Sequence, residues 1–142
     1  MISWFEKHNK LSWIITIFIA IIIFYVSSLT FAPGPLRGFP WKPIAYHFYA
    51  FLFLAAFLLI SLNRGKIENK KFIFIAIIIA LVYGVSDEIH QLFVPGRACS
   101  FSDFLTDSAG VLLATLIYSL KFLNPKKEIS KEYNSDLYYL FI

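Results

Sequence analysis

The stretch FIFIAIIIALVYGVSDEIHQLFVPGR, residues 72–97, decides how this chain is read. It opens with eleven apolar residues and then runs into Asp87, Glu88, His90 and Gln91 before a Pro-Gly pair. A helix of about 20 residues, rising about 1.5 Å per residue, crosses a hydrocarbon core of about 30 Å. Ile- and Phe-rich runs favour strands in water. In lipid, a run of this length can satisfy its backbone only as a helix. Charges at the end of such a helix either sit at the water edge or serve a purpose.

The pattern recurs along the chain. Residues 11–31, 44–62, 72–94 and 104–123 form four apolar runs of similar length. Hydrophobic residues make up 58% of the 142, and charged residues only 15%. A soluble domain of this size has too little interior for so much apolar surface. We therefore expect one all-α integral membrane domain, a four-helix bundle over residues 1–123, followed by a tail over residues 124–142. The first run exceeds the apolar core of about 7–15 residues that a signal peptide carries, and no A-x-A pattern follows, so it reads as a retained helix. The opening MISWFEKHN reads as a short interfacial segment. Trp4, Trp13 and Trp41 fall near the ends of runs, as aromatic belts do.

Lysine and arginine orient the bundle. Lys7 and Lys10 precede the first run. Arg64, Lys66, Lys70 and Lys71 lie between the second and third. Lys121, Lys126, Lys127 and Lys131 close the fourth and follow it. With four spans these regions share one side and hold ten of the thirteen basic residues. Both termini are expected to be cytoplasmic, with residues 32–43 and 95–103 facing outward. The net charge of +4 then reflects a face that meets anionic lipid heads. Membrane lipid is the expected partner, and no nucleic acid is, because the basic residues are scattered and form no binding module. The lone Cys99 excludes an internal disulfide and a cysteine-based zinc site. The apolar end of the tail, residues 137–142, has two possible docks: the domain or the bilayer.

FAPG at 31–34, followed by Arg37, echoes FVPG at 93–96, followed by Arg97. A helical-hairpin repeat would leave such a trace. Pro-Gly is also the ordinary way to stop a helix and turn, and this suffices as an explanation.

Once the chain is oriented, the polar residues sort into two groups. Asp87, Glu88, Asp103 and Asp107 fall toward the outer side, together with His47, His90, Gln91 and Arg97. Glu6, Glu68, Glu128, Glu132 and Asp136 fall among cytoplasmic lysines and read as solvated charges. Tyr83, Asp87 and Gln91 share one helical face, which Gly84 and Glu88 overlap. On the last run Asp103, Asp107, Gly110 and Ala114 form one stripe, and Gly110 with Ala114 is a small-xxx-small pair suited to close helix approach.

Structural readings stand beside the functional ones. Ser100 to Asp103 fits a capping box. Arg97 either snorkels at the interface or neutralises Asp87 or Glu88. Asp87 beside Glu88, and Asp107 one turn inside its helix, are costlier to explain without a function. Paired carboxylates with histidine suit general acid–base chemistry, and arginine suits a phosphate or carboxylate. His47, Asp87, Glu88 and His90 also carry donors for a divalent cation. None of these has diagnostic spacing: there is no H-E-x-x-H, no Walker loop and no G-x-S-x-G elbow. No metal ligand is assigned on this basis and no cofactor is named.

The segment DEIHQLFVPGRACSFSDFLTDSAGVLLA, residues 87–114, resembles the signature of the VanZ-like membrane proteins. Asp87, Glu88, Gln91, Pro95, Gly96, Arg97, Asp103, Asp107 and Gly110 match it. Upstream, Lys42, His47 and Phe51 resemble the family's Lys, His and aromatic residue. The Lys–His spacing is longer than usual, Phe51 stands where Tyr is common, and Ala114 replaces a frequent second Gly. The family takes its name from a protein linked to teicoplanin resistance and brings no established reaction. The resemblance implies a cell-envelope role.

Three functional expectations follow. The first is an outward-facing polar site that binds or modifies a lipid or a lipid-linked cell-surface precursor. Asp87, Glu88 and Asp103 would then be catalytic candidates, and Arg97, Gln91, His47 and Asp107 substrate-binding ones. The second is a non-catalytic accessory subunit whose cluster locks the helices. The third is an intramembrane metal-dependent hydrolase using His47, His90 and the acids.

Overall fold

The structure, a computed structural model, describes residues 2–30, 41–64 and 70–123. Five helices appear in it: α1 (Ile2–Lys7), α2 (Asn9–Ser27), α3 (Trp41–Asn63), α4 (Lys70–Gln91) and α5 (Phe101–Leu123). No strand occurs among the described residues. Four helices are long and apolar enough to cross a membrane: Asn9–Ser27, Ile44–Asn63, Lys70–Gln91 and Phe101–Leu120. The FAPG echo, Arg37, Lys66, Glu68 and the tail after Leu123 lie outside the described residues.

The long helices alternate in direction, and α3 is the hub, packing against every other helix. Its partner along the longest seam is α5. Helices in lipid gain little from the hydrophobic effect and associate through close packing instead. Gly110 shows how close this packing is: a Cβ added there would run into the Phe48 carbonyl oxygen on α3. Ala114 and Tyr118 continue the buried α5 stripe. Ala76, Ala80 and Gly84 present an equally small face from α4. Phe51, Leu54, Ala55, Leu58 and Leu59 of α3 fill the space between. Ile14, Ile17, Phe18 and Ile21 on α2, and Leu112 and Leu116 on α5, point outward, where a bilayer would meet them.

Helix α4 ends at Gln91, three residues short of the apolar run read from sequence, because the chain turns there. Arg97 N–H donates to the Val94 carbonyl at 3.1 Å, and Gly96 has φ of 82°. This is the type II geometry that Pro at the second position and Gly at the third favour.

The opening segment departs from expectation. α1 folds against α2 and α3, with Phe5 edge-on to Phe57. Glu6 is only 7% exposed and accepts a hydrogen bond from the Tyr118 hydroxyl at 2.9 Å. The expected solvated charge is a buried tie between the first helix and the last. Beside it Asn9 Nδ2 donates to the Ser61 carbonyl at 2.7 Å, and Thr16 and Ser61 share a hydroxyl bond at 3.2 Å.

Candidate functional site

At the opposite end of the bundle, polar side chains converge from three helices. His47 comes from the second turn of α3, Asp87, Glu88 and Gln91 from the end of α4, and Asp107 from the second turn of α5. All five are buried. Both acids of the adjacent pair face protein, because α4 has packed neighbours on each side of this edge. Asp87 continues the stripe of Tyr83, whose hydroxyl donates to the Ala20 carbonyl on α2 at 2.7 Å. Glu88 faces the start of α5.

The central pair is His47 and Asp107, with Nδ1 and Oδ1 3.0 Å apart. Asp107 Oδ2 and Glu88 Oε1 are buried and have no hydrogen-bond partner among the described residues. The ligating atoms of His47, Glu88 and Asp107 lie within 4.8 Å of one another. Phe51 and Gly84 close the cluster from below. A Cβ built on Gly84 would meet Phe51 at 3.3 Å and the Asp107 side chain at 3.6 Å, so the small residue makes room for both. Buried carboxylate oxygens without donors are costly. A cluster that keeps two of them is suited to something that supplies positive charge or protons.

The surrounding groups fix these carboxylates. Gln91 Nε2 donates to Asp87 Oδ2 at 2.9 Å, one turn along the same helix. The Ser100 main-chain N–H donates to Glu88 Oε2 at 2.7 Å. In a capping box that N–H would go to the acid three residues on. Here an acid from the neighbouring helix takes it, so Ser100 to Asp103 is not closed as the sequence pattern suggests. Asp103 stays half-buried at the rim, accepting a long bond of 3.4 Å from the Ser102 hydroxyl.

Two expected members also reach the end of α2. Arg97 reaches across to the end of α2, where Nη2 donates to the Val26 carbonyl at 2.9 Å and Nε to the Leu29 carbonyl at 3.3 Å. A guanidinium there complements the negative end of the helix dipole. His90 also turns to α2, pairing Nε2 with the Ser28 hydroxyl at 2.9 Å and lying against Phe24. It does not join His47. Tyr46 carried no signal in the sequence beyond being aromatic. Its hydroxyl is buried without a partner among the described residues. It lines a lateral groove of about 380 Å³ between α2 and α3, with Ile19, Ile23, Tyr49 and Phe53.

A small polytopic membrane protein with an acid–imidazole site buried at one end of its helix bundle is the class these features define. Within that class, the chain belongs to the VanZ/LLP1 family, whose model matches residues 7–122. None of the curated proteins and none of the solved structures compared with the chain matches it.

Proposed function

We propose that this protein works at the outer face of the cell membrane, where its buried site receives the polar end of a lipid or lipid-linked cell-surface precursor and binds or modifies it. The observation that carries the reading is the pair of buried, unpartnered carboxylate oxygens on Glu88 and Asp107. A purely architectural network is expected to satisfy such atoms. The groove beside Tyr46 supports a lipid, being apolar, lined by α2 and α3, and reaching Tyr46, the chain neighbour of His47. Charge supports the outward placement. Lys7, Lys10, Arg64, Lys70 and Lys71 all lie at the end away from the cluster, which the positive-inside rule puts in the cytoplasm. In this reading Glu88 or Asp87 transfers the proton, and Arg97, anchored on the Val26 and Leu29 carbonyls of α2, adds positive charge at the same end of the bundle. Asp103, Gln91, His47 and Asp107 orient the polar end.

The test replaces Asp87, Glu88 and Arg97 singly with Asn, Gln and Gln in a strain whose glycopeptide sensitivity depends on the protein. Loss of the phenotype at equal membrane levels is expected for each. Retention by all three would sink the proposal. A second reading, a structural lock with an accessory role, draws on the bonds Glu88–Ser100 and His47–Asp107, which join three helices. It predicts lower melting temperatures in step with any loss of phenotype. Unchanged melting with a lost phenotype separates the two.

A further inference from the structure

We propose that His47, Glu88 and Asp107 form a binding site for one divalent transition-metal cation, with zinc the best fit.

The three residues bring one imidazole and two carboxylates together from three helices, with ligating atoms within 4.8 Å of one another. Ligand atoms about 2.0–2.2 Å from a shared zinc ion stand roughly 3–3.5 Å apart at tetrahedral or octahedral angles. His47 Nδ1 and Asp107 Oδ1 stand 3.0 Å apart as a hydrogen-bonded pair, so the imidazole already lies beside the carboxylate whose second oxygen, Oδ2, would take the cation. A second and independent observation points to a ligand. Glu88 Oε1 and Asp107 Oδ2 have no hydrogen-bond partner among the described residues, although their residues are 4% and 1% exposed. A cation between them would supply what both atoms lack.

The cluster also has the supports a metal site requires. Ser100 N–H holds the other oxygen of Glu88, fixing the carboxylate's orientation as outer-shell partners do. Phe51 and Gly84 form a dry wall beneath. The turn at Pro95, Gly96 and Cys99, leading to Ser100, is exposed at this end of the bundle. Charge argues in the same direction. Glu88 and Asp107 set two buried carboxylates against one imidazole, an acidic set that a divalent cation offsets.

The donor set selects the metal class. Mixed imidazole and carboxylate suits zinc and manganese, whereas magnesium prefers an all-oxygen sphere that keeps several waters. Three protein ligands leave a coordination position open, as in catalytic rather than structural zinc sites. The site does not depend on the lipid reading above, since a cation can be held whether or not a headgroup is ever received.

The experiment uses the full chain with Cys99→Ser, which removes the exposed thiol as a competing ligand. Protein purified in detergent is stripped with EDTA at neutral pH, loaded with Zn²⁺, Mn²⁺ or Mg²⁺ in parallel, and passed through a desalting column before elemental analysis. About one zinc per chain should be retained, with magnesium lost. Glu88→Gln and Asp107→Asn should each weaken zinc binding by at least about tenfold. Since such variants can also misfold, the unmutated site is read as well. Zinc should raise its melting temperature, and Co²⁺ should give visible bands of an N/O coordination sphere. Substoichiometric metal in the Cys99→Ser protein, or full retention by both carboxylate variants, overturns the site. Metal binding without any glycopeptide phenotype would leave this inference standing and remove the functional reading; the reverse pattern would do the opposite.

Discussion

The two ends of the bundle each bury acidic side chains, and they do so differently. At the lysine-bearing end, Glu6 receives the Tyr118 hydroxyl, and Asn9, Ser12, Thr16 and Ser61 form hydrogen bonds with one another or with main-chain carbonyls. Among the described residues, only Asn63 Oδ1 is buried there without a partner. At the other end three carboxylates and an imidazole are gathered, and two carboxylate oxygens lack donors. Burial of an acid is thus a poor marker of function by itself. Glu6 is buried nearly as deeply as the site residues, yet it ties α1 to α5. What distinguishes the candidate site is unsatisfied bonding capacity focused on one point.

Substitutions can break or sharpen this contrast. The largest effect is expected from Asp107→Ala, which strands His47 and removes a carboxylate from the α3–α5 seam. It should cost about 3–5 kcal/mol, as for other broken buried pairs, read as a fall in the detergent melting temperature. Gly110→Ala follows. Its Cβ would collide with backbone at Phe48, and overpacking of this kind costs about 1–3 kcal/mol. A melting temperature equal to wild type would mean that α3 and α5 do not approach as closely as described. Tyr118→Phe deletes the hydroxyl that donates to Glu6 and should cost about 1.5–3 kcal/mol; under the proposed function it should leave glycopeptide sensitivity unchanged at matched protein levels. A changed phenotype there would erase the distinction between the two ends. The smallest stability effect is assigned to Glu88→Gln, whose amide oxygen can still accept from Ser100. A loss within about 1 kcal/mol together with a lost phenotype is the expected signature of a site residue. A large destabilisation would place Glu88 with the architectural groups instead.

Much of the fold was legible because hydrocarbon leaves the backbone so few options. Run length alone located the four long helices, and Pro95-Gly96 announced its turn. The Gly110–Ala114 pair marked the face that meets α3. The acids at the ends of α4 and α5 stood out by cost. Partnerships were harder to read. Periodicity says little about which face turns inward when lipid and core are both apolar, so nothing indicated that His90 would face α2 while His47 met Asp107. The Glu6–Tyr118 bond joins residues at opposite ends of the described chain, beyond any local pattern. Ser100 was read correctly as a helix start, but its N–H goes to Glu88 from another helix, a choice made by packing rather than by the S-x-x-D spacing.

The seam between α3 and α5 also has a consequence for how the molecule is made. Spans that emerge in order leave α5 until last, yet it contributes Asp107 and, just before it, the Ser100 N–H that holds Glu88. Until that final span arrives, His47 and Glu88 reside in the bilayer without the neighbours that complete them. The cluster is therefore incomplete until α5 is in place: without residues 100–107, Glu88 loses the Ser100 N–H and His47 loses Asp107.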